Sequence, residues 1–235
     1  MASKEFPVTL TNATVVKESF INKLTTQQRG GGFWPNDAMS YTIDIAGKNC
    51  KIMGVNQRVS PEQKITIMQN AKGKAEWMYD AFLHTQPPLV LSNPRLQPFL
   101  EHFSTLDIPT TLYKKKAFSG GKQKKIKKQM EQGSFGNRAT ALVLRRKIGV
   151  QSQVLSTQRI TLILLLLVKD SQGFFITETK LTLKYTNLDR HNAETIKFNN
   201  HGGATTVGQL LEVIYDPDDK SCLILDKNFL DNWLY

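Results

Sequence analysis

Nine lysines and three arginines crowd into "KKKAFSGGKQKKIKKQMEQGSFGNRATALVLRRK", the stretch from Lys114 to Lys147, against a single acid, Glu131. That window carries a net +11, which equals the net charge of the whole 235-residue chain, so the rest of the sequence balances to zero. Positive charge concentrated in this way selects a polyanion, because displaced counterions supply affinity. Lysine is a flexible point charge suited to phosphates rather than to base edges. Lys114, Lys115, Lys116, Lys122, Lys124, Lys125, Lys127 and Lys128 therefore read as a grip on a nucleic-acid backbone, either RNA or DNA. Gly120 and Gly121 on one side and Gly133 and Gly136 on the other hinge this arm. Between them "KQKKIKKQMEQ" has only Ile126 and Met130 to offer a partner, a marginal helix when unbound. Arg138, Arg145 and Arg146 sit on or beside an expected strand ending near Arg145, which makes them the fixed part of the grip, and Lys147 follows them as a further candidate contact. Phe118 and Phe135 flank the lysines and are candidates to stack on exposed bases. The two-cluster spacing also resembles a nuclear-import signal, and a basic arm can instead dock an acidic protein or membrane surface.

Chemistry beyond binding has thinner support. Asp170 followed by Glu178 and Lys180 has the residue types of a nuclease, in which two carboxylates hold Mg²⁺ and a lysine assists water attack. An Asp at a hairpin turn and a Glu-x-Lys on a solvent face are also ordinary strand grammar. His191 and His201 lie in polar loops and offer a metal-free route to RNA cleavage. "SGGK" is not a phosphate loop, since Lys116 stands at its first glycine position and Gln123 follows its lysine. The reading favours a non-enzymatic binder in a nucleoprotein assembly, of a virus or mobile element, with no catalytic residue, no metal and no cofactor. Mg²⁺ enters only with the nuclease alternative.

The elements expected to position these residues make an α+β chain. Residues 12–29 read as an amphipathic helix with Val16, Phe20 and Leu24 on one face. "YTIDIAGKNCKIMGV" reads as a hairpin. Ser60, Pro61 and Glu62 have the form of a helix start, and Ile65, Met68, Ala71, Ala75, Met78 and Phe82 follow at helical spacing to about Leu83. A shorter helix is expected from Asn93 to about Ser104, then a strand in "PTTLY". Beyond the basic window, "TALVLRRKIGV", "RITLILLLLV" and "FFITETKLTLKY" read as strands of a mainly antiparallel sheet, the last two joined by a turn at "KDSQG". "NNHGGATTVGQLLEVI" reads as a loop entering a short helix, "DPDDKSC" as a turn, and "KNFLDNWLY" as a terminal helix. The expected architecture is a single α+β domain over 1–235, with N-terminal helices and a hairpin packed on the C-terminal sheet and a mobile basic insertion at 114–138. The alternative is a helical half, 1–113, and a β-rich half, 139–235.

Cys50 and Cys222 are the only cysteines, with no metal-ligand spacing, which suits a reducing compartment. The N-terminal residues lack the apolar segment of a signal peptide. The most apolar run, residues 160–168, is about half the ~20 residues a spanning helix needs. An intracellular, cytoplasmic protein is expected, or a nuclear one in a eukaryotic host. Gly32, Phe33, Trp34 and Pro35 form one further feature, an aromatic pair that either stacks on a partner or folds onto the core.

Overall fold

The computed structural model describes residues 4–20, 38–55, 59–80, 83, 92–105, 109–114, 128–129, 132–154, 157–186 and 208–224. Strand accounts for 60% of what is described, with one short helix, so the chain is mostly β and the expected α+β architecture is wrong. In chain order the strands are β1 (Lys4–Phe20), β2 (Ala38–Ile45), β3 (Lys48–Val55), β4 (Lys64–Asn70), β5 (Ala75–Met78), β6 (Thr111–Lys114), β7 (Asn137–Val154), β8 (Thr157–Lys169), β9 (Phe174–Thr186), β10 (Leu210–Tyr215) and β11 (Cys222–Ile224). A 3-10 turn at Pro94–Leu96 leads into the helix α1 (Gln97–Ser104), in the place the sequence predicts for a helix. Asn93 accepts a hydrogen bond from the Arg95 amide and so caps the turn.

β1 is the hinge of the architecture. Its first residues, Lys4–Pro7, pair with β6; Val8–Thr14 pair with β4, and Thr14–Phe20 pair with β2. One arm of the sheet therefore runs β11-β10-β7-β8-β9-β6-β1, and the other runs β5-β4-β1-β2-β3. In the second arm β3 comes back beside β5, so that arm curls around its own core of Val15, Tyr41, Ile43, Ile52, Ile65, Ile67 and Met78.

The two N-terminal helix expectations fail for physical reasons. Residues 12–20 belong to a strand rich in Val and Thr, residues that suit a pleated surface. Val16, on the expected apolar face of that helix, is 49% exposed, while its neighbour Val15 is buried. In the second case β4 is buried on both faces. Ile65 and Ile67 enter the curled core, and Met68 packs on the other side with Trp77 and Tyr79. Apolar positions on alternate sides then mimic a spacing of three and four. Pro61 and Glu62 form a turn, with Glu62 at φ 70°, rather than a helix start. Gly73, inside the expected helix, is a hairpin residue. It sits at φ 71° and donates to the Asn70 carbonyl, while the Asn70 side chain accepts from Lys72 and Lys74 amides.

The first arm follows expectation more closely. β8 and β9 pair antiparallel along their full lengths around the Asp170–Gly173 turn, and β2–β3 is the expected hairpin. "LLEVIY" is strand β10, paired with β7, instead of a helix. Residues 1–113 are not a helical half, since β1–β5 and most of β6 lie there. The expected helix at 227–235 lies outside the described residues. Between the two arms α1 supplies Phe99, and the second arm Met68, Trp77 and Tyr79. They pack on Leu112, Leu142, Leu144, Leu165, Leu167 and Ile176 of the first arm. His102 of α1 is buried there, stacked on Phe174 at 4.1 Å and sharing a hydrogen bond with the Tyr79 hydroxyl at 2.9 Å.

Candidate nucleic-acid interface

The core between the arms ends in a row of polar residues. β6 pairs in parallel with β9, setting Lys114 beside Glu178. Glu178 is opposite Leu165 of β8, and Leu165 is opposite Arg145 of β7. The pairing of Leu165 with Arg145 depends on a register shift in β7 between Val143 and Arg145. Val143 packs on the far face of the sheet with Leu166, and Leu144 on the inner face; without the shift Arg145 would alternate back outward. The bulge instead turns Arg145 inward beneath Trp77, at 5.3 Å from its ring centroid. β7 then continues through Arg146 and Lys147 to Val154, well past the expected end.

Trp77 of β5 forms the roof. It is 6% exposed, with Arg145 and Lys114 against its ring, Lys114 at 5.1 Å from the centroid and 5.0 Å from that of Phe6. These cation–π contacts hold both charges in the lining of a cleft of about 520 Å³. Lys51 of β3 and Lys74 and Glu76 of the β4–β5 hairpin complete its lining. Four cations and two carboxylates thus face one cleft. Glu76 accepts a hydrogen bond from the Asn70 amide group at 2.8 Å, whereas Glu178 makes no ion pair among the described residues. Burial lowers the Arg145 guanidinium below its ordinary pKa, and the nearby charges of Glu178 and Glu76 oppose that shift. It stays charged. The Arg145 Nε and the Trp77 Nε1 are both buried without a hydrogen-bond partner among the described residues, so this corner carries donors that the fold does not satisfy. A smaller, more apolar hollow of about 280 Å³, lined by Phe6, Val8, Leu112 and Lys72, adjoins on the other side of Trp77 and Lys114.

The structure brings together three residues that carry separate roles in the sequence reading: Lys114 and Arg145 of the grip, and Glu178 of the nuclease alternative. Lys115, Lys116, Phe118, Lys122, Lys124, Lys125 and Lys127 lie outside the described residues, as do His191, His201 and the stretch from Gly32 to Pro35. Lys128 is exposed on a helical turn whose carbonyl accepts from the Gln132 amide at 3.0 Å. Phe135 is half-buried, and Arg138 is exposed at the start of β7. Arg146, Lys147 and Lys180 are placed by their backbones on β7 and β9. Trp77, Lys51 and Lys74 belong to the cleft without having been marked by sequence. "KAEWMYD" directly after Gly73 carries the signal, as a short strand following a hairpin turn.

Asp170 and Glu178 are not brought together. Thr177, the residue before Glu178, faces the opposite side of the sheet and donates to the Lys220 carbonyl at 2.9 Å. Asp170 belongs to that side. It accepts from the Tyr215 hydroxyl at 2.7 Å, from the amides of Gln172 and Gly173, and lies 3.7 Å from Lys220 Nζ. Burial raises its pKa, but these donors outweigh burial and hold the carboxyl below the usual range. No group of three or more His, Cys, Asp or Glu is placed to hold a metal ion among the described residues. Nor is any described helix long and apolar enough to cross a membrane.

The fold and cleft define a mostly β protein with a cationic, tryptophan-roofed cleft between two arms of one sheet. Comparisons with protein-family models, with curated proteins and with solved structures find no match to this chain.

Proposed function

We propose that this protein binds nucleic acid mainly through backbone phosphates, as a non-enzymatic component of a nucleoprotein assembly. The observation that supports the reading is the convergence of Lys51, Lys74, Lys114 and Arg145 on one open cleft, at whose edge the lysine-rich stretch begins. Lys114 is both the last residue of β6 and the first of that stretch. The cleft supplies charge fixed on β-strands and on the β4–β5 turn, and the residues after Lys114 supply charge in number. Phosphate contacts of this kind give affinity and position without reading sequence. A tryptophan that is almost wholly covered is a wall rather than a stacking platform, so the contribution of Trp77 is to hold Lys114 and Arg145 in place.

Gel shifts with single-stranded DNA, duplex DNA and RNA at two salt concentrations test the reading. Binding is expected at low salt with a steep loss at the higher concentration. No retardation of any of the three at low salt would overturn it.

A further inference from the structure

Glu178 is out of place in a cleft that only grips phosphates. It stands in the middle of the row Lys114–Glu178–Leu165–Arg145, where its charge would repel a phosphate, and it closes no ion pair with either cation among the described residues. A carboxylate that faces a cleft with both oxygens available is an acceptor for paired N–H donors. Guanine presents such a pair, N1–H and N2–H, on its Watson–Crick edge. That edge is free only when the base is unpaired. Uracil offers one N–H flanked by two carbonyl oxygens, which face a carboxylate unfavourably.

We infer that the cleft seats one unpaired nucleotide, its phosphate on the cations and its base edge on Glu178, with guanine preferred over uracil. The inference rests on the nucleic-acid reading above and adds to it a single-nucleotide preference on the body of the protein. The cleft, at about 520 Å³, lies within the range of roughly 300–1,000 Å³ that small-ligand sites occupy. Its floor spans three strand spacings from Lys114 to Arg145, roughly 14 Å at ~4.8 Å per strand. The lining holds both signs of charge that a nucleotide needs: Lys51, Lys74, Lys114 and Arg145 for the phosphate, and Glu178 for base donors, while Glu76 is already engaged by the Asn70 amide group. The unpartnered Arg145 Nε and Trp77 Nε1 mark this corner as one the fold leaves unsatisfied. The lysine-rich stretch supplies the sequence-independent part of the affinity, and Glu178 the discrimination at one position.

The test is a set of low-salt titrations of the full chain with guanosine monophosphate and uridine monophosphate, beside gel shifts with a mixed-sequence single strand. The wild type is expected to favour the guanosine nucleotide by on the order of tenfold, the scale of one bidentate base contact. Glu178→Gln should bring that ratio close to one while leaving the long strand bound at least as tightly. Glu178→Asp, which keeps the charge and withdraws it by one carbon, should lower the ratio as well. A purely structural Glu178 would leave the ratio unmoved, and an unchanged preference in Glu178→Gln overturns the inference. Equal binding of the two nucleotides by the wild type, or binding of neither while the long strand still shifts, also overturns it and leaves the phosphate grip standing. Failure of the wild type to shift the long strand is instead the failure of the grip itself.

Discussion

The Arg145 guanidinium lies 5.3 Å from the ring centroid of Trp77, joining β7 of one sheet arm to β5 of the other. The contact exists because a bulge in β7 turns Arg145 inward, and it leaves the Arg145 Nε buried without a hydrogen-bond partner among the described residues. Removing a half-buried charge from water costs free energy that a cation–π contact of about 0.5–2 kcal/mol and the nearby charges of Glu178 and Glu76 repay only in part, as the lowered Arg145 pKa indicates. Arg145→Met should therefore leave the denaturation midpoint unchanged or raise it, while weakening nucleic-acid binding at low salt. Urea titrations paired with gel shifts check both halves. A lowered midpoint with intact binding would assign Arg145 a structural role only.

Asp170 and Tyr215 tie the β8–β9 turn to β10, and the tie should be visible as pH dependence. The Asp170 carboxyl is 5% exposed and is held below its ordinary pKa in the folded state. A lowered folded-state value contributes stability that is complete above the unfolded pKa and is lost as pH falls through the folded one. Wild type should thus lose stability below roughly pH 4 more steeply than Asp170→Asn. Tyr215→Phe, which removes the donor at 2.7 Å, should cost about 1.5–3 kcal/mol near neutral pH. Denaturant midpoints measured from pH 3 to 7 decide the matter, and superimposable profiles for wild type and Asp170→Asn would contradict it.

Two glycines in turns should respond very differently to alanine. A Cβ on Gly136 would meet the Tyr215 carbonyl oxygen at 2.8 Å and Ile214 Cγ1 at 2.9 Å, at φ 93°. One on Gly73, at φ 71°, would meet nothing within 4 Å. Gly73→Ala should cost about 1 kcal/mol, the backbone term alone, and Gly136→Ala about 1–3 kcal/mol more. Equal costs by thermal or chemical denaturation would contradict the close approach of residue 136 to β10.

Adjacent valines in β1 separate a strand from the helix that the spacing suggests. Val15→Ala should cost about 2 kcal/mol because Val15 is buried in the curled arm. Val16→Thr should stay within about 0.5 kcal/mol because Val16 is half exposed and strands favour threonine. In a helix whose apolar stripe ran through Val16, the larger destabilisation would fall on Val16 instead.

What the sequence makes legible follows from how each strand is buried. β2, β3, β8 and β9 show alternation or a solid apolar run closed by turn residues, and they are readable. β1 changes partners along its length, so Val8 and Leu10 of its first half and Ala13 and Val15 of its second fall out of phase. β4 is apolar on both faces, which reproduces a helical spacing over a few residues. In both cases tertiary burial imposes a pattern that local grammar assigns to a helix. The cleft is half legible. Lys114, Arg145 and Glu178 stand out for their charge and spacing, but the bulge that gathers them is not marked by any glycine or proline. Trp77, the residue they gather around, carries no chemistry of its own to draw notice.

The most direct measurement of the central claim is the salt dependence of binding to a single-stranded oligonucleotide, compared between wild type and a Lys114→Ala/Arg145→Ala double variant. Removing one phosphate contact lowers the slope of log affinity against log salt by roughly 0.7 for a single strand. The account predicts a slope shallower by roughly 1.4, with affinity reduced alike for unrelated sequences. A double variant that binds with the wild-type affinity and the wild-type slope would contradict it.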